Sequence, residues 1–393
     1  MISLYYHLAT KMWYHTEKNI DYTLGQTNQV ISYQGSRLND SLPFPIASDG
    51  TKLGPLLGIL TGAGENSFLG NVSTCRRILG ALQEQGALGI VLTPDSFKKE
   101  FVDGYYYYHD WRKWIRVRTP LPDLVYNRIP YRYMEETPEY LHTISILRDK
   151  TIPFFNPSFF SKWETFQILK KNKFLSVFLP DTILFRSKDD IENMLSKHQT
   201  IYVKSTNGHK GLGIYVITLE NQGVCVKTIK ENIPFENFET FWKEYSRIFT
   251  KGDFIIQEAI EADKYNNQRY DLRILCHSLE KSYTISGIGV RLAGKKTITT
   301  HIPNGGSIIP YSNVQSRFNE TLIEKIANEI GTELTSQIGE FIGEFSIDLG
   351  LSTEGQYVIY EVNSKPMVFD EPHIKKQGLE NLTKLLIMKA KTT

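Results

Sequence analysis

The chain has 393 residues, with 45 Lys and Arg against 43 Asp and Glu, and its net charge is +2. Hydrophobic residues make up 41% and charged residues 22%, which is typical of folded globular proteins and excludes a mainly disordered chain. The near-neutral charge gives no general attraction to nucleic acid or to anionic membranes. A chain of this length predicts two or three domains.

The three cysteines, Cys75, Cys225 and Cys276, lie far apart and match no metal-ligand spacing. This pattern excludes a disulfide framework and a zinc knuckle, and it favours a reducing compartment. No apolar run approaches the ~18 residues of a membrane-spanning helix, and the N-terminus lacks the pattern of a signal peptide. We therefore expect a cytoplasmic protein without a membrane partner.

Residues 1–53 alternate short apolar stretches with polar turns and predict a short β-rich segment. Residues 54–150 then follow the order strand, helix, strand, strand, which predicts an open α/β domain with parallel pairing. The helix is expected to end near Gly86, because glycine is common just after a helix C-terminus. The strands are predicted at 56–61, 87–94 and 122–130, and the helix aligns Val72, Cys75, Ile78, Leu79 and Leu82.

Residues 105–118 (YYYYHDWRKWIRVR) interleave aromatic and basic side chains. Such a segment can stack on single-stranded nucleic acid and neutralise its charge. It can also be an amphipathic surface segment, whose rings pack on the sheet while its cations stay in water. The near-zero net charge favours the surface segment, so we expect no nucleic-acid partner.

Beyond residue 150 the pattern indicates a second large domain. Ser161 and Ser187 each begin a capping box, which predicts helices that run to about residues 169 and 197. The rest of the chain is predicted to be rich in strands, with one long helix near residues 320–343.

A glycine-rich loop is the first segment that suggests chemistry. A strand ends at Lys204, a loop with Gly208, Gly211 and Gly213 follows, and a second strand begins directly after it. Glycines let backbone N–H groups approach phosphate oxygens, and a lysine at the base of the loop supplies positive charge. The motif predicts a flexible hairpin lid over phosphates. On this motif alone, an ordinary hairpin with a solvated lysine is an equally good interpretation.

A second cluster lies in a hairpin between residues 343 and 363. Glu361 and Asn363 share one face of a strand, and the paired strand brings Asp348 to the same face. Three oxygen ligands on one face suit Mg²⁺ or Mn²⁺. The alternative is a solvated polar face, but the apolar neighbours of these carboxylates favour burial, and a buried acidic cluster needs a cation.

Charged residues alternate along the strands between these two motifs. Phe254–Gln257 is a buried-strand pattern suited to present backbone groups to an adenine edge. Asp271 can accept from ribose hydroxyls, and Arg269, Arg273 and Arg291 can bind phosphate or carboxylate. Asn304 precedes two glycines in a further loop of backbone donors. Each Arg and Asp taken singly can also be half of an edge-strand ion pair.

In this order, the motifs resemble those of the ATP-grasp superfamily and, within it, the endospore coat-associated YheC/YheD family. The resemblance covers residues 54–370. It implies a fold of class α/β and α+β, with an open α/β pre-ATP-grasp domain followed by a two-lobed ATP-grasp domain at 151–393. The small lobe would lie at about 180–260 and the metal-binding lobe at about 265–393. The matching segments are GPLLGILTG, LVYNRI, KWETFQIL, LPDT, YVKSTNGHKGLGI, DLRIL, PNGGS and EVNSKP.

The resemblance also implies a role for individual residues. The glycine loop would cover the phosphates, the segment from Gln257 to Ile260 would form the adenine hinge, and Asp271 would contact ribose. Arg273 and Arg291 would hold the γ-phosphate or an acyl-phosphate. The implied sets are Lys162, Lys204, Gly208, Gly211, Gly213, Gln257, Glu258, Ile260 and Asp271 for ATP; Arg273, Arg291 and Asn304 for catalysis; and Asp348, Glu361 and Asn363 for Mg²⁺ or Mn²⁺. Ser205 departs from the proline that many ATP-grasp enzymes have after the lysine.

By analogy with characterised relatives, the expected activity is ligation of a carboxylate to an amine or thiol through an acyl-phosphate, with release of ADP and phosphate. The partners would be a small-molecule or peptide carboxylate, an amine acceptor and spore-coat proteins. One alternative is a structural protein of the spore coat that binds ATP without catalysis. Another is a kinase-like phosphotransferase, which would form a phosphorylated product and no amide.

Overall fold

The computed structural model describes residues 1–65, 67–208, 213–220, 223–294, 300 and 305–392. The chain folds into two compact units. The first comprises Met1–Ser158, Glu340–Gly343 and Lys375–Thr393, and the second comprises Phe159–Gly339 and Glu344–Ile374. The predicted division at residues 53 and 150 stays a prediction. The structure adds that the C-terminal segment folds with the N-terminal unit.

The first 53 residues form two small sheets, with strand orders β5-β2-β1-β6 and β4-β3-β8-β7. Their interior is aromatic, because Tyr6, Trp13 and Phe44 are buried and their rings pack at centroid distances of 4.8 Å. The strands are β1 (Ile2–His7), β2 (Met12–His15), β3 (Thr23–Leu24), β4 (Gln29–Val30), β5 (Ser32–Tyr33), β6 (Ser41–Ile46), β7 (Ser48–Asp49) and β8 (Lys52–Leu53).

A six-stranded sheet of order β14-β13-β12-β9-β15-β16 follows, and β9 pairs in parallel with β12 and β15, as predicted. The helix α1 buries Cys75, Ile78, Leu79 and Leu82, and Gly86 after it has a φ of +77°. The elements are β9 (Leu56–Leu60), β10 (Gly62–Ala63), β11 (Phe68–Leu69), α1 (Val72–Glu84), β12 (Leu88–Leu92), β13 (Phe101–Tyr108), β14 (Lys113–Pro120), β15 (Leu124–Asn127), α2 (Pro138–Asp149) and β16 (Phe154–Phe155).

The aromatic and basic segment forms the antiparallel hairpin β13–β14 at one edge of this sheet. Residues of β13 alternate strictly in burial, and Tyr106 and Tyr108 point into the core. On the other face, Arg116 lies over the ring of Tyr105, with its guanidinium carbon 5.3 Å from the ring centroid. This arrangement is that of an amphipathic surface hairpin.

The second unit begins with an antiparallel sheet of order β17-β22-β18-β19-β20-β21. The helices α4 and α5 cover one face of it with apolar side chains, among them Ile191, Phe241 and Phe249. The elements are α3 (Lys162–Lys171), β17 (Thr182–Leu184), α4 (Lys188–His198), β18 (Thr200–Ser205), β19 (Ile214–Glu220), β20 (Gly223–Lys227), β21 (Asn232–Phe235), α5 (Phe238–Lys251) and β22 (Phe254–Glu258).

A second antiparallel sheet, of order β26-β25-β24-β27-β28, completes this unit. Along its strands, fully buried apolar residues such as Ile274 and Ile347 alternate with the charged residues of the predicted site. The elements are β23 (Lys264–Tyr265), β24 (Gln268–Leu279), β25 (Ser282–Leu292), β26 (Ser307–Ile309), α6 (Glu320–Ile338), β27 (Glu344–Leu351), β28 (Tyr357–Asn363) and α7 (Pro372–Lys391).

The expectation of a single long helix after residue 200 is wrong, because α5 and α7 are also long helices. The signal in α5 was aromatic: Phe241, Tyr245 and Phe249 recur every four residues and stack along one side of the helix. Aromatic residues favour strands as well as buried helix faces, so their number concealed the helical period. No helix in the described ranges is long and apolar enough to span a membrane.

Candidate functional site

A buried ion-pair network lies on the charged face of the second sheet of the second unit. Arg291 on β25 is directly opposite Asp271 on β24, and its Nε and Nη2 donate to the two carboxylate oxygens at 2.8 Å each. The same Nη2 lies 2.9 Å from Oδ2 of Asp348 on β27. Asp271 also accepts a hydrogen bond of 2.6 Å from Thr300. One guanidinium therefore holds two carboxylates from neighbouring strands in place.

Asp348 is charged and incompletely satisfied. Burial alone would raise the pKa of this carboxyl, but the guanidiniums of Arg291 and Arg273 hold the pKa below its usual value. Its Oδ1 is buried and has no hydrogen-bond partner in the part of the chain that the structure describes. A buried anionic oxygen without a donor is costly. It fits a ligand that comes from outside the protein, such as a divalent cation.

The other predicted metal ligands lie beside Asp348. Glu361 is its direct cross-strand partner on β28, and Asn363 pairs with Ser346 one row further along the same face. Glu361 forms an ion pair with Lys162 at the start of α3. Among the described residues, no cluster of three or more His, Cys, Asp or Glu has metal-binding geometry. The predicted ligands are two carboxylates and one amide. Because Mg²⁺ takes six ligands, water and phosphate oxygens would fill the rest of its coordination shell.

Lys204 lies on the facing sheet, at the end of β18. Its ammonium donates to Oε1 of Gln257 on β22, and Nε2 of Gln257 donates to Oγ1 of Thr182 at 3.0 Å. The ammonium also lies 4.9 Å from the ring centroid of Tyr202. Burial lowers the pKa of Lys204 to about 8, although Glu361 opposes this shift. A lysine held in this way gains much from an anionic ligand, because that ligand restores its preference for the charged form.

The predicted hinge lies where β22 ends. Gln257 is buried there, and Ile260 is partly buried in the segment that leads to the second sheet. The carboxylate of Glu258 accepts a hydrogen bond of 2.7 Å from the backbone N–H of Asp181 and lies 3.2 Å from Nδ1 of His198. Backbone and side-chain contacts of Glu258 therefore anchor the start of the hinge.

Not all of the predicted residues can be placed. Gly211 and Asn304 lie outside the described residues. Gly208 and Gly213 are at the two ends of the loop between β18 and β19, where Gly213 has a φ of +70° and its carbonyl accepts from Ser205. Arg273 is partly buried opposite Asp348, and its guanidinium carbon lies 5.5 Å from the ring centroid of Phe369.

Three contributing residues, Tyr202, Thr182 and Thr300, were missed from the sequence, whereas Arg269 was predicted as a cation for phosphate or carboxylate. Tyr202 precedes Lys204 by two positions and shares its face, which is the period-two signal that could have identified it. Arg269 donates from Nη1 to the hydroxyl of Tyr202 at 3.1 Å and links the two sheets. Thr182 and Thr300 have no local motif that distinguishes them, because their roles depend on contacts distant in sequence.

Asp271 is bonded to two neighbouring side chains of the same site. Both of its oxygens already accept from Arg291, and Oδ2 accepts from Thr300 as well. The ribose contact stays a prediction. In the structure, Asp271 orients the guanidinium of Arg291.

The charges of the site suit a polyphosphate. Four cationic side chains face three carboxylates, so the cluster carries a small positive charge. A divalent cation bound to the carboxylates would increase that charge, and phosphate oxygens would then be attracted by both. The side chains concerned are Lys162, Lys204, Arg273, Arg291, Asp271, Asp348 and Glu361.

Residues 151–392 match the family model described as YheC/D like ATP-grasp. The match covers more than half of the chain, so the chain belongs to the YheC/D-like ATP-grasp family. It is 29% identical to the endospore coat-associated protein YheD of Bacillus subtilis (strain 168) over 354 residues. This aligned region covers 84% of this chain and 77% of that protein. The endospore coat-associated protein YheC of the same strain is 19% identical over 288 residues, covering 70% of this chain and 78% of that protein.

Solved ligases of the same fold are also similar. The D-alanine-D-alanine ligase of Coxiella burnetii is 12% identical, with a TM-score of 0.51, and covers 86% of this chain and 96% of that one. The ATP-grasp ligase PsnB, complexed with a minimal precursor, is 10% identical, with a TM-score of 0.51, and covers 86% and 99% of the two chains. These likenesses confirm the mixed α/β fold of an ATP-grasp ligase.

We expect the Arg291→Met variant to lose about 3–5 kcal/mol of unfolding free energy at neutral pH, because two buried carboxylates lose their partner. In the wild type, the pKa of Asp348 is lower in the folded protein than in the unfolded chain. This difference stabilises the fold at pH values above the pKa of the unfolded chain, and the stabilisation is lost as the pH falls through the pKa of the folded protein. Without Arg291, the Asp348 carboxyl loses the largest of the charges that oppose the effect of burial, so its protonated form is less disfavoured. The stability difference between the variant and the wild type should therefore be smaller at pH 4 than at pH 7. Urea unfolding between pH 4 and 7 measures both effects.

The matched control is Arg148→Met, which breaks an exposed ion pair with Glu340 and should change stability little. If Arg291→Met is as stable as this control at neutral pH, Arg291 does not have the role we assign to it.

Proposed function

We propose that this protein is a magnesium-dependent ATP-grasp ligase, which activates a carboxylate as an acyl-phosphate and joins it to an amine or a thiol. The observation that carries the proposal is the convergence of Lys162, Lys204, Arg273 and Arg291 on the carboxylates of Asp348 and Glu361. This set combines groups for phosphate with groups for a hard cation. Family membership and the fold of solved ligases support the same activity.

In this proposal each basic residue has a place along the nucleotide. Lys204 and Lys162 neutralise the phosphates. Arg273 faces the transferred phosphoryl group, and Arg291 provides charge behind it while its position is fixed by Asp271. Because these groups are held in place before reaction, they can stabilise developing charge with little rearrangement.

The metal fits the donor set of Asp348, Glu361 and Asn363, since Asp348 has a buried oxygen without a partner in the described residues. When bound, Mg²⁺ supplies charge neutralisation of phosphate oxygens. Glu361 would exchange its ion pair with Lys162 for the metal, which would release Lys162 toward the phosphates.

The proposed reaction has two steps. A carboxylate oxygen of the substrate attacks the γ-phosphorus of ATP, the bond to the β-phosphate oxygen breaks, and ADP leaves. The neutral amine then attacks the acyl carbon, a C–N bond forms, and the bond between the acyl carbon and the bridging oxygen breaks. Inorganic phosphate leaves with that oxygen and takes up the proton that the nitrogen loses. Positioning and charge neutralisation are what the chain supplies.

A second candidate is an ATP-binding structural protein of the spore coat without ligase activity. The observation that favours it is the name of the relative YheD, which describes coat association and no reaction. On either proposal the protein would be made in the cytoplasm and would contact coat proteins.

The turnover assay that tests ligase activity measures ADP release with Mg·ATP and a panel of amino acids, peptides and polyglutamate. We expect at least one acceptor and carboxylate pair to stimulate release, and Lys204→Ala to abolish it, whereas Lys171→Ala on the exposed end of α3 should not. Nucleotide binding without stimulation by any pair would favour the structural protein over the ligase.

We also expect ATP binding to depend on pH through Lys204. Its pKa of about 8 in the free protein should rise when phosphates bind, so binding takes up protons near pH 8 and weakens as the pH rises above that value. Calorimetric titration in HEPES and in Tris, which differ in ionisation enthalpy, measures the proton uptake.

The Lys204→Arg variant provides the control for this prediction, because arginine stays charged throughout this range. It should bind ATP without the proton uptake of the wild type. Equal proton uptake in the two proteins would show that Lys204 is not the titrating group.

A further inference from the structure

The charged face of the second sheet continues past the predicted metal ligands. One row of directly opposed residues crosses four strands, in the order Gly289, Arg273, Asp348 and Glu361. Neighbouring strands are about 4.8 Å apart, so Gly289 lies about 10 Å from Asp348. One end of the row carries the predicted metal ligands Asp348 and Glu361, and the other end is a glycine.

That glycine makes room for a carboxylate. A Cβ atom added to Gly289 would lie 2.6 Å from Oε1 and 3.5 Å from Oε2 of Glu371. Any side chain at this position would therefore displace Glu371 from the sheet. Glu371 is partly buried, and it has no hydrogen bond or ion pair in the part of the chain that the structure describes.

Two further polar groups on this face are incompletely paired, one with respect to its charge and the other with respect to hydrogen bonding. Arg273, the neighbour of Gly289 in the row, has no ion pair with Glu371 or any other described carboxylate within 4.0 Å. Ser346, in the next row, is completely buried, and its hydroxyl has no hydrogen-bond partner in the described ranges. Among the described residues, a cation without an ion pair, an anion without an ion pair or hydrogen bond, and a hydroxyl without a hydrogen bond therefore share a small area of the sheet.

Apolar side chains border this area. Leu275, Phe369 and Ile374 pack together as a separate buried cluster, and Ile374 lies against Gly287. The area thus has an apolar wall and a few polar groups, which is the composition of a small-molecule subsite.

Glu371 also precedes α7, where a carboxylate can stabilise the start of a helix. Its contacts indicate a different task. No N–H of the first turn of α7 is bonded to the Glu371 carboxylate among the described residues, and its oxygens lie against Gly289 on the sheet.

We propose that Glu371 binds the ammonium group of the amine acceptor, so that the acceptor is a cationic primary amine. The assignment rests on the proposed ligase activity. An amine at Glu371 lies next to Arg273, which in that proposal faces the acyl-phosphate. Before it attacks, the ammonium passes one proton to the Glu371 carboxylate and becomes a neutral amine. The carboxylate selects primary amines over thiols, because only the amine is cationic at neutral pH and can donate charge-assisted hydrogen bonds to it.

Ligand-detected NMR titration tests this with two small probes: glycinamide, a primary ammonium cation, and N-acetylglycine, an anion. The protein is used as the full chain, with Mg²⁺ and a non-hydrolysable ATP analogue. We expect Glu371→Gln to weaken glycinamide binding about tenfold or more and to leave N-acetylglycine unchanged. Asp370→Asn, which removes the same charge from the exposed neighbouring residue, should change neither.

Gly289→Ala provides a second route to the same result, because its methyl group should displace the Glu371 carboxylate. Equal glycinamide binding by the wild type and Glu371→Gln, or no binding by the wild type, would overturn the assignment. Failure of the proposed function would be seen separately, because the ATP analogue would then not bind to the wild type. The effect of Glu371→Gln on glycinamide binding can still be measured without nucleotide.

Discussion

The site depends on one buried guanidinium. Arg291 is 7% exposed and holds Asp271 and Asp348, which are 5% and 7% exposed, from two neighbouring strands. Without it, both carboxylates would be buried anions on a sheet whose other face is apolar. With it, Asp348 stays charged and keeps one oxygen without a protein partner among the described residues. The ion pairs therefore stabilise the sheet, and they also preserve an incomplete coordination that a ligand can fill.

The two sheets of the second unit contribute complementary parts. The first supplies Lys204, whose pKa is lowered by burial and whose ammonium donates a hydrogen bond to Gln257. The second supplies the carboxylates and arginines in rows across its strands. Lys162 on α3 is paired with Glu361, so it is already near the metal ligands before any nucleotide arrives. Binding of Mg·ATP would then replace contacts within the protein by contacts with phosphate and metal.

Much of this could be predicted from the sequence, because strands alternate with a period of two. That period predicted Asp348, Glu361 and Asn363 on one face, and the strand register places Glu361 directly opposite Asp348, with Asn363 two residues further along the same strand. The parallel sheet of β9, β12 and β15 followed from the order of elements. What the sequence could not give depends on contacts distant in the chain. Asp271 binds Arg291 twenty residues away, and Glu371 reaches Gly289 only through the path of the chain after β28. The sequence alone makes Asp271 a candidate for ribose or for an ion pair without identifying its partner, and it makes Glu371 look like an ordinary surface carboxylate.

The central claim is that this cluster binds ATP together with a divalent cation. Calorimetric titration of the wild-type protein with ATP, in the presence of Mg²⁺ and then of a chelator, tests it most directly, with Asp348→Asn measured alongside. We predict that binding is strong with Mg²⁺ and much weaker with the chelator, and that Asp348→Asn loses most of this difference. Absence of ATP binding by the folded wild type, or binding of equal strength with and without Mg²⁺, would contradict the account.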